Sequence, residues 1–273
     1  MIEIREKESG TLLRRLETNG LADAMLRGAV LAGADLAGSD LRGADLRQAD
    51  LCKADLKGAD LRGAHLEAAD LTASDCTDAD LSGAHLVDAR LLATALVRTR
   101  MVGANCLRAT MEFASFQNVV GQSAVLVRAD LSRATIVGSD FSGADLSRAT
   151  LSHSSWREST LAFANLAGAV MDGTRLGGVD LRQVELARAV LVGATLAAAD
   201  LEGAMLCGTV FAACEDLAQA RGLADLVHHG PSSIDLATLR AGLGELPTAF
   251  LNGMGLEGSE IEQLRELWAG PAR

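Results

Sequence analysis

"LAGADLAGSDLRGADLRQADLCKADLKGADLRGAHLEAAD", Leu31 to Asp70, sets a leucine at every fifth position and an alanine or serine two places before most of them. The step of five runs without a slip from Leu21 to Phe211, which makes 39 consecutive centres. Most centres are leucine; Cys76, Met101, Cys106, Phe116, Ile136, Phe141 and Trp156 are substitutes, and Gly121 is the one centre that is not apolar. An α-helix turns about 100° per residue and smears such a pattern around its circumference, while a strand alternates with a period of two. A backbone that turns a corner every five residues gives the pattern one inward face. Four such sides close a square coil of 20 residues, and stacked coils pair at about 4.8 Å, the spacing of neighbouring strands. The glycines two places after the centre, such as Gly33, Gly38 and Gly43, fall at the corners, where left-handed backbone is needed.

The tandem pattern A(D/N)LxG resembles the pentapeptide-repeat family. The resemblance implies an all-β solenoid, a right-handed quadrilateral β-helix of about ten coils. It divides the chain into an N-terminal cap over 1–20, the repeat rod over 21–213 and a C-terminal helical module over 214–273. A solenoid needs capped ends, because its terminal coils present unpaired backbone and apolar interior. "SGTLLRRLETNG", Ser9 to Gly20, reads as a short helical lid. In the tail, Ser232 or Ser233 is expected to cap a helix to about Arg240, Pro247 to start a second to about Asn252, and Ser259 to cap a third to about Trp268. The segment "QNVVGQSAV", Gln117 to Val125, reads as the one disturbance in the coil.

Composition narrows the function. The chain has 273 residues and a net charge of −11, with aromatics at 3% and no tyrosine, so leucine and alanine must build the core. Acids outnumber bases eleven to five from Asp35 to Asp80, the two balance from Leu81 to Ala213, and acids lead nine to four from Cys214 onward. Overall acidity argues against direct nucleic-acid binding, which needs a basic footprint. The N-terminus lacks a signal-like apolar core and no apolar run reaches membrane-spanning length, giving the expectation of a cytoplasmic protein that does not engage a membrane. Five cysteines without a C-x-x-C spacing read as reduced thiols.

Positions 20 apart share a face. One face therefore carries Asp40, Asp60, Asp80, Asp140, Asp180 and Asp200, interrupted by Arg100, Val120 and Thr160, with Arg42, Arg47, Lys57 and Arg62 interleaved as neutralising neighbours. Resemblance to the quinolone-resistance members of the family implies that such a face imitates duplex DNA and binds a type II topoisomerase, DNA gyrase or topoisomerase IV. Those members carry protruding loops that this unbroken frame lacks, so mimicry here would have to be loop-free. The competing reading is an interaction scaffold that recruits a signalling or defence partner, since the tail resembles segments that follow pentapeptide repeats in bacterial signalling proteins. In both readings Phe250, Leu264, Leu267 and Trp268 are the candidate dimer or docking residues, as tail helices dimerise in several family members.

No constellation of nucleophile, base and acid emerges, and no cofactor or metal is expected. His65 and His85 stack one coil apart without a third ligand in their column, and His228 and His229 lack a nucleophile elbow nearby. The glycines recur at the repeat period rather than at a strand-to-helix junction, so they do not form a phosphate cradle. Arg90, Arg98, Arg100 and Arg108 form the one locally basic stretch of the sequence.

Overall fold

The computed structural model describes residues 1–269. Its body is the expected β-solenoid, and the reason lies in where each repeat's backbone groups go. Around the centre Leu26, the Leu26 N–H donates to the Asp45 carbonyl of the next coil at 2.8 Å, and the corner N–H of Gly28 donates to Arg47 at 2.8 Å. The Ala29 N–H closes a tight turn onto the Leu26 carbonyl at 3.0 Å, and the Asp45 N–H returns to Ala24 of the previous coil at 2.9 Å. Parallel bridges twenty residues apart repeat this arrangement from Met25↔Asp45 to Asp180↔Asp200 and Glu185↔Met205. Centres and the small residues before them fill the interior as a continuous leucine and alanine core.

Along one side, residues with higher strand propensity flatten the coil. Strands β3 (Ala95–Val97), β4 (Ser115–Gln117), β5 (Thr135–Val137) and β6 (Ser155–Arg157) make a four-stranded parallel sheet in that order, after the antiparallel pair β1 (Ile2–Arg5) and β2 (Leu12–Leu16).

Gln117 to Val125 is not disturbed. Gly121 donates to the Asp140 carbonyl at 2.7 Å like any centre. The missing side chain is replaced from the next coil: a Cβ on Gly121 would lie 2.5 Å from Cε1 of Phe141. Phe141 in turn meets Phe116 and Trp156 edge-on, with ring centroids 5.8 and 5.7 Å apart, so one glycine makes room for an aromatic stack.

The N-terminal lid is a hairpin, not the expected helix. β1 and β2 pair antiparallel, and the end of β1 with the turn after it lies along the open edge of the first coil, where the Asp35 N–H donates to Arg5 and the Lys7 N–H to Gly33. A helix satisfies its own backbone and would have left that edge unpaired; an extended segment covers it. Ile4 seals the interior below.

At the other end the five-residue frame is lost at Asp216, but coil pairing continues past the expected boundary at 213. Arg221 bridges Asp200. Strands β7 (Val190–Val192), β8 (Met205–Leu206) and β9 (Val210–Ala212) precede β10 (Val227–His228), which pairs with β8, and β11 (Ser233–Ile234), which pairs with β9. One irregular coil, loosened by inserted residues, therefore follows the regular ones. Ser233 lies in that strand, and Asp235 rather than a serine caps α1 (Leu236–Gly242), accepting from the Thr238 N–H at 2.8 Å. Helices α2 (Thr248–Gly253) and α3 (Gly258–Ala269) complete the lid.

Candidate functional site

Four of the five N–H groups in a regular repeat have backbone partners; the one just after the centre does not. The residue just before the centre supplies the missing acceptor. Asp40 accepts from the Arg42 N–H at 3.3 Å, Asp60 from Arg62 at 3.2 Å and Asp80 from Ser82 at 2.9 Å. Asp140 serves Ser142 at 2.9 Å, Asp180 serves Arg182 at 3.1 Å and Asp200 serves Glu202 at 3.2 Å. Asn105 and Asn165 do the same with an uncharged oxygen. The aspartates thus serve the turn, each as a side chain that caps its own backbone two residues on, although His65, Arg90 and Val120 hold the same position elsewhere in the coil.

The expected face does form: Asp40 bridges Asp60, Asp60 bridges Asp80, and Asp180 bridges Asp200. Its charge is answered closely within the chain at three of the six aspartates. Arg42 grips Asp40 through two bonds of 2.8 and 2.7 Å, Arg62 grips Asp60 at 2.8 and 2.6 Å, and Arg182 grips Asp180 at 2.9 and 2.8 Å. The Arg42 bonds hold the Asp40 carboxyl down at about 2, and those from Arg62 and Arg182 lower Asp60 and Asp180 in the same way. At Asp140 burial pushes the acid up, but hydrogen bonds from Ser142 and Gln122 outweigh it and the net shift is down. Asp80 has only loose cationic neighbours, Arg62 at 3.9 Å and Arg100 at 3.8 Å.

The tail residues separate. Phe250 is fully buried, edge-on to Phe211 with centroids 6.1 Å apart, and closes the end of the core; it is therefore not a docking residue. Leu264 is partly buried against the core and Leu267 is 71% exposed. Trp268 lies beneath the Arg240 guanidinium, 5.5 Å from its centroid.

His65 and His85 stack face to face at 5.0 Å, and no group of three metal-ligating side chains occurs among the described residues. His229 is exposed, whereas both ring nitrogens of His228 are buried without a partner among the described residues.

The basic stretch read from the sequence dissolves in the fold. Arg90, Arg98, Arg100 and Arg108 each meet an aspartate one coil earlier: Asp70 at 3.7 Å, Asp78 at 2.6 Å, Asp80 at 3.8 Å and Asp88 at 2.6 Å. Reading along the chain missed the corner column Arg108, Arg128, Arg148 and Arg188, whose signal was present as the 20-residue spacing.

Among the described residues no helix is long and apolar enough to cross a membrane. The chain matches the Pentapeptide repeats family over successive segments between residues 21 and 211. No curated protein matches it. Among solved structures it is similar to HetL, a pentapeptide repeat protein involved in heterocyst differentiation regulation from the cyanobacterium Nostoc sp. strain PCC 7120. That match has 32% identity, covers 78% of this chain and 90% of HetL, and has a TM-score of 0.49. It is also similar to QnrB1, a plasmid-mediated fluoroquinolone resistance protein, at 14% identity over 76% of this chain and 93% of QnrB1, with a TM-score of 0.46. The repeat frame, the square coil it builds and the family match over the length of the rod agree: the chain belongs to the pentapeptide-repeat family.

Proposed function

We propose that this chain works without catalysis, as a rigid rod that binds a protein partner through its long faces. The observation that carries the reading is the filled interior: centres such as Leu61, Leu126 and Leu166 are fully buried, so distinctive chemistry lies in surface columns. Such columns offer repeated, pre-ordered contacts rather than a pocket around a substrate.

The partner class we propose first is a type II topoisomerase such as DNA gyrase, met by the aspartate face in place of duplex DNA. Because Arg42, Arg62 and Arg182 occupy their aspartates, the charge available to a partner concentrates at Asp80, Asp140 and Asp200. The expected outcome is that added protein lowers quinolone-stabilised cleavage by gyrase. A D80N/D140N/D200N variant should lose the effect while keeping the fold, since asparagine retains the turn acceptor. Supercoiling and cleavage unchanged at saturating protein would end this reading.

A second reading, an interaction scaffold docked through the tail, draws on Leu267 and Leu236, which are 71% and 54% exposed. We propose that α3 also mediates a two-fold homodimer. Light scattering at micromolar concentration should give twice the 28.3 kDa chain mass, and L267E should halve it. A monomeric mass for the unaltered protein would remove the dimer.

A further inference from the structure

Across much of the rod this fold answers an arginine with an aspartate, either two residues earlier, as at Arg42 and Arg62, or one coil earlier, as at Arg98 and Arg108. Arg27, Arg133, Arg157 and Arg175 stand singly without such a partner among the described residues, and one corner column gathers three more. Arg128, Arg148 and Arg188 follow Arg108 down a single column, and none of the three has a carboxylate within salt-bridge distance among the described residues. The corner N–H groups of Arg128, Arg148 and Arg188 donate to Ser147, Ala167 and Cys207 of the succeeding coil, which fixes the stack at the strand spacing of about 4.8 Å. All three residues are left-handed, with φ of 57°, 58° and 58°, where glycine is the unstrained choice and where the same column has Gly168 and Gly208. The corner itself does not call for arginine, since Lys53, Ala68 and Ser123 take the same left-handed backbone, and no ion pair among the described residues accounts for one at these three positions.

Beside the column runs an open trough of about 560 Å³ with Leu107 and Val127 in its floor. It continues, past Arg148 and Ala167, into a second of about 330 Å³ lined by Ala187 and Arg188. We infer that this trough, an apolar floor with a wall of uncommitted guanidinium groups, is a docking site for an extended acidic segment of a partner protein. The inference rests on the protein-binding reading and places a second contact surface on a different column from the aspartate face.

An extended segment turns alternate side chains to opposite sides, so its carboxylates would face the arginines while small apolar residues meet the floor. Single-stranded nucleic acid fits less well. No aromatic side chain lines the trough to stack a base.

The test is fluorescence anisotropy with a labelled peptide of about eight residues, the length that spans the trough when extended, alternating glutamate with valine. Competitors are its glutamine counterpart and an oligothymidine. The decisive variant is R128G/R148G/R188G, which relieves left-handed strain and so keeps the fold; R42Q/R62Q is the control. The expected result is saturable, salt-sensitive binding of the glutamate peptide alone. The triple-glycine variant should weaken it about tenfold or more with a melting temperature no lower than the parent's, and the control should not change it. Absence of saturable binding, equal binding of the glutamine peptide, indifference to the triple variant, or displacement by oligothymidine at lower concentration would each overturn the proposal. The triple variant keeps Asp80, Asp140 and Asp200, so its behaviour with gyrase separates failure of this trough from failure of the topoisomerase reading.

Discussion

At the scale of single residues, the aspartate before each centre has two roles that a substitution can separate. Asp130 accepts from the Ser132 N–H at 2.9 Å and is in no ion pair among the described residues. Asp130→Asn keeps an acceptor and should leave stability unchanged, whereas Asp130→Ala strands the N–H and should cost about 1 kcal/mol in denaturant unfolding. Equal loss in both would mean that charge, not turn geometry, holds the residue there. His228 raises the opposite issue, a polar ring whose nitrogens have no hydrogen-bond partner among the described residues. It lies under α2, where a side chain on Gly253 would collide with it, and burial holds its pKa below the ordinary 6.5. As pH falls the unfolded chain therefore takes up this proton before the folded one does. The His228 contribution is fully present above pH 6.5 and drains away as pH falls toward the lowered value. We expect the melting temperature of His228→Leu to fall less than the parent's between pH 7.5 and 5; parallel losses would show that the lid does not sense this ring.

At the scale of elements, the Gly121 and Phe141 pair shows how one coil compensates for its neighbour. Gly121→Leu alone overfills a space already occupied by the Phe141 ring and should destabilise by about 1–3 kcal/mol. Phe141→Leu alone leaves a void beside Phe116 and Trp156. The double variant restores two ordinary leucine centres and should recover much of both losses in a double-mutant cycle. Additive losses would mean that the two coils pack independently. The register of this pair is legible as a 20-residue step, but not that the Phe141 ring fills the space left by Gly121, which depends on side-chain packing; the rod itself is legible from any 40 residues, the period of five admitting one inward face. The helical spacing of the tail was legible too, down to Pro247 at the head of α2. What misled were segments read one at a time. Leu12, Leu13 and Leu16 satisfy a helical stripe as well as a strand, and the choice was made by the unpaired edge of the first coil, which no local pattern records. The candidate face is legible with its aspartates aligned and with Arg42 and Arg62 as neutralising neighbours; the matching fork of Arg182 on Asp180 is not singled out. The basic zone is misplaced in the linear reading, since neighbours in space are one coil apart, not one residue.

At the scale of the whole molecule, a solenoid is held by contacts between adjacent coils, so its length is adjustable in units of one coil and in no other unit. Deleting residues 41–60 should therefore leave a folded rod. Asp40 would then precede Leu61 and Arg62, recreating the Asp–Leu–Arg fork of Asp60 and Arg62. Asp75 would replace Asp55 as the partner of Lys7 in the N-terminal lid, and Gly63 would replace Gly43 beneath Asp23. Deleting residues 41–58 removes a similar length but shifts the frame by two. Ala59 would then stand at a centre, and Arg62 and Glu67 would be driven into the small inward positions now held by Ala44 and Ala49, burying unpaired charge. The 20-residue deletion should keep the parent's circular dichroism and unfold cooperatively within several degrees of it, while the 18-residue deletion should be insoluble or unfolded. Should both fold, or neither, stability would not reside in the stacking of like positions at the 20-residue step, and every column on the rod's surface, acidic or basic, would lose its physical basis.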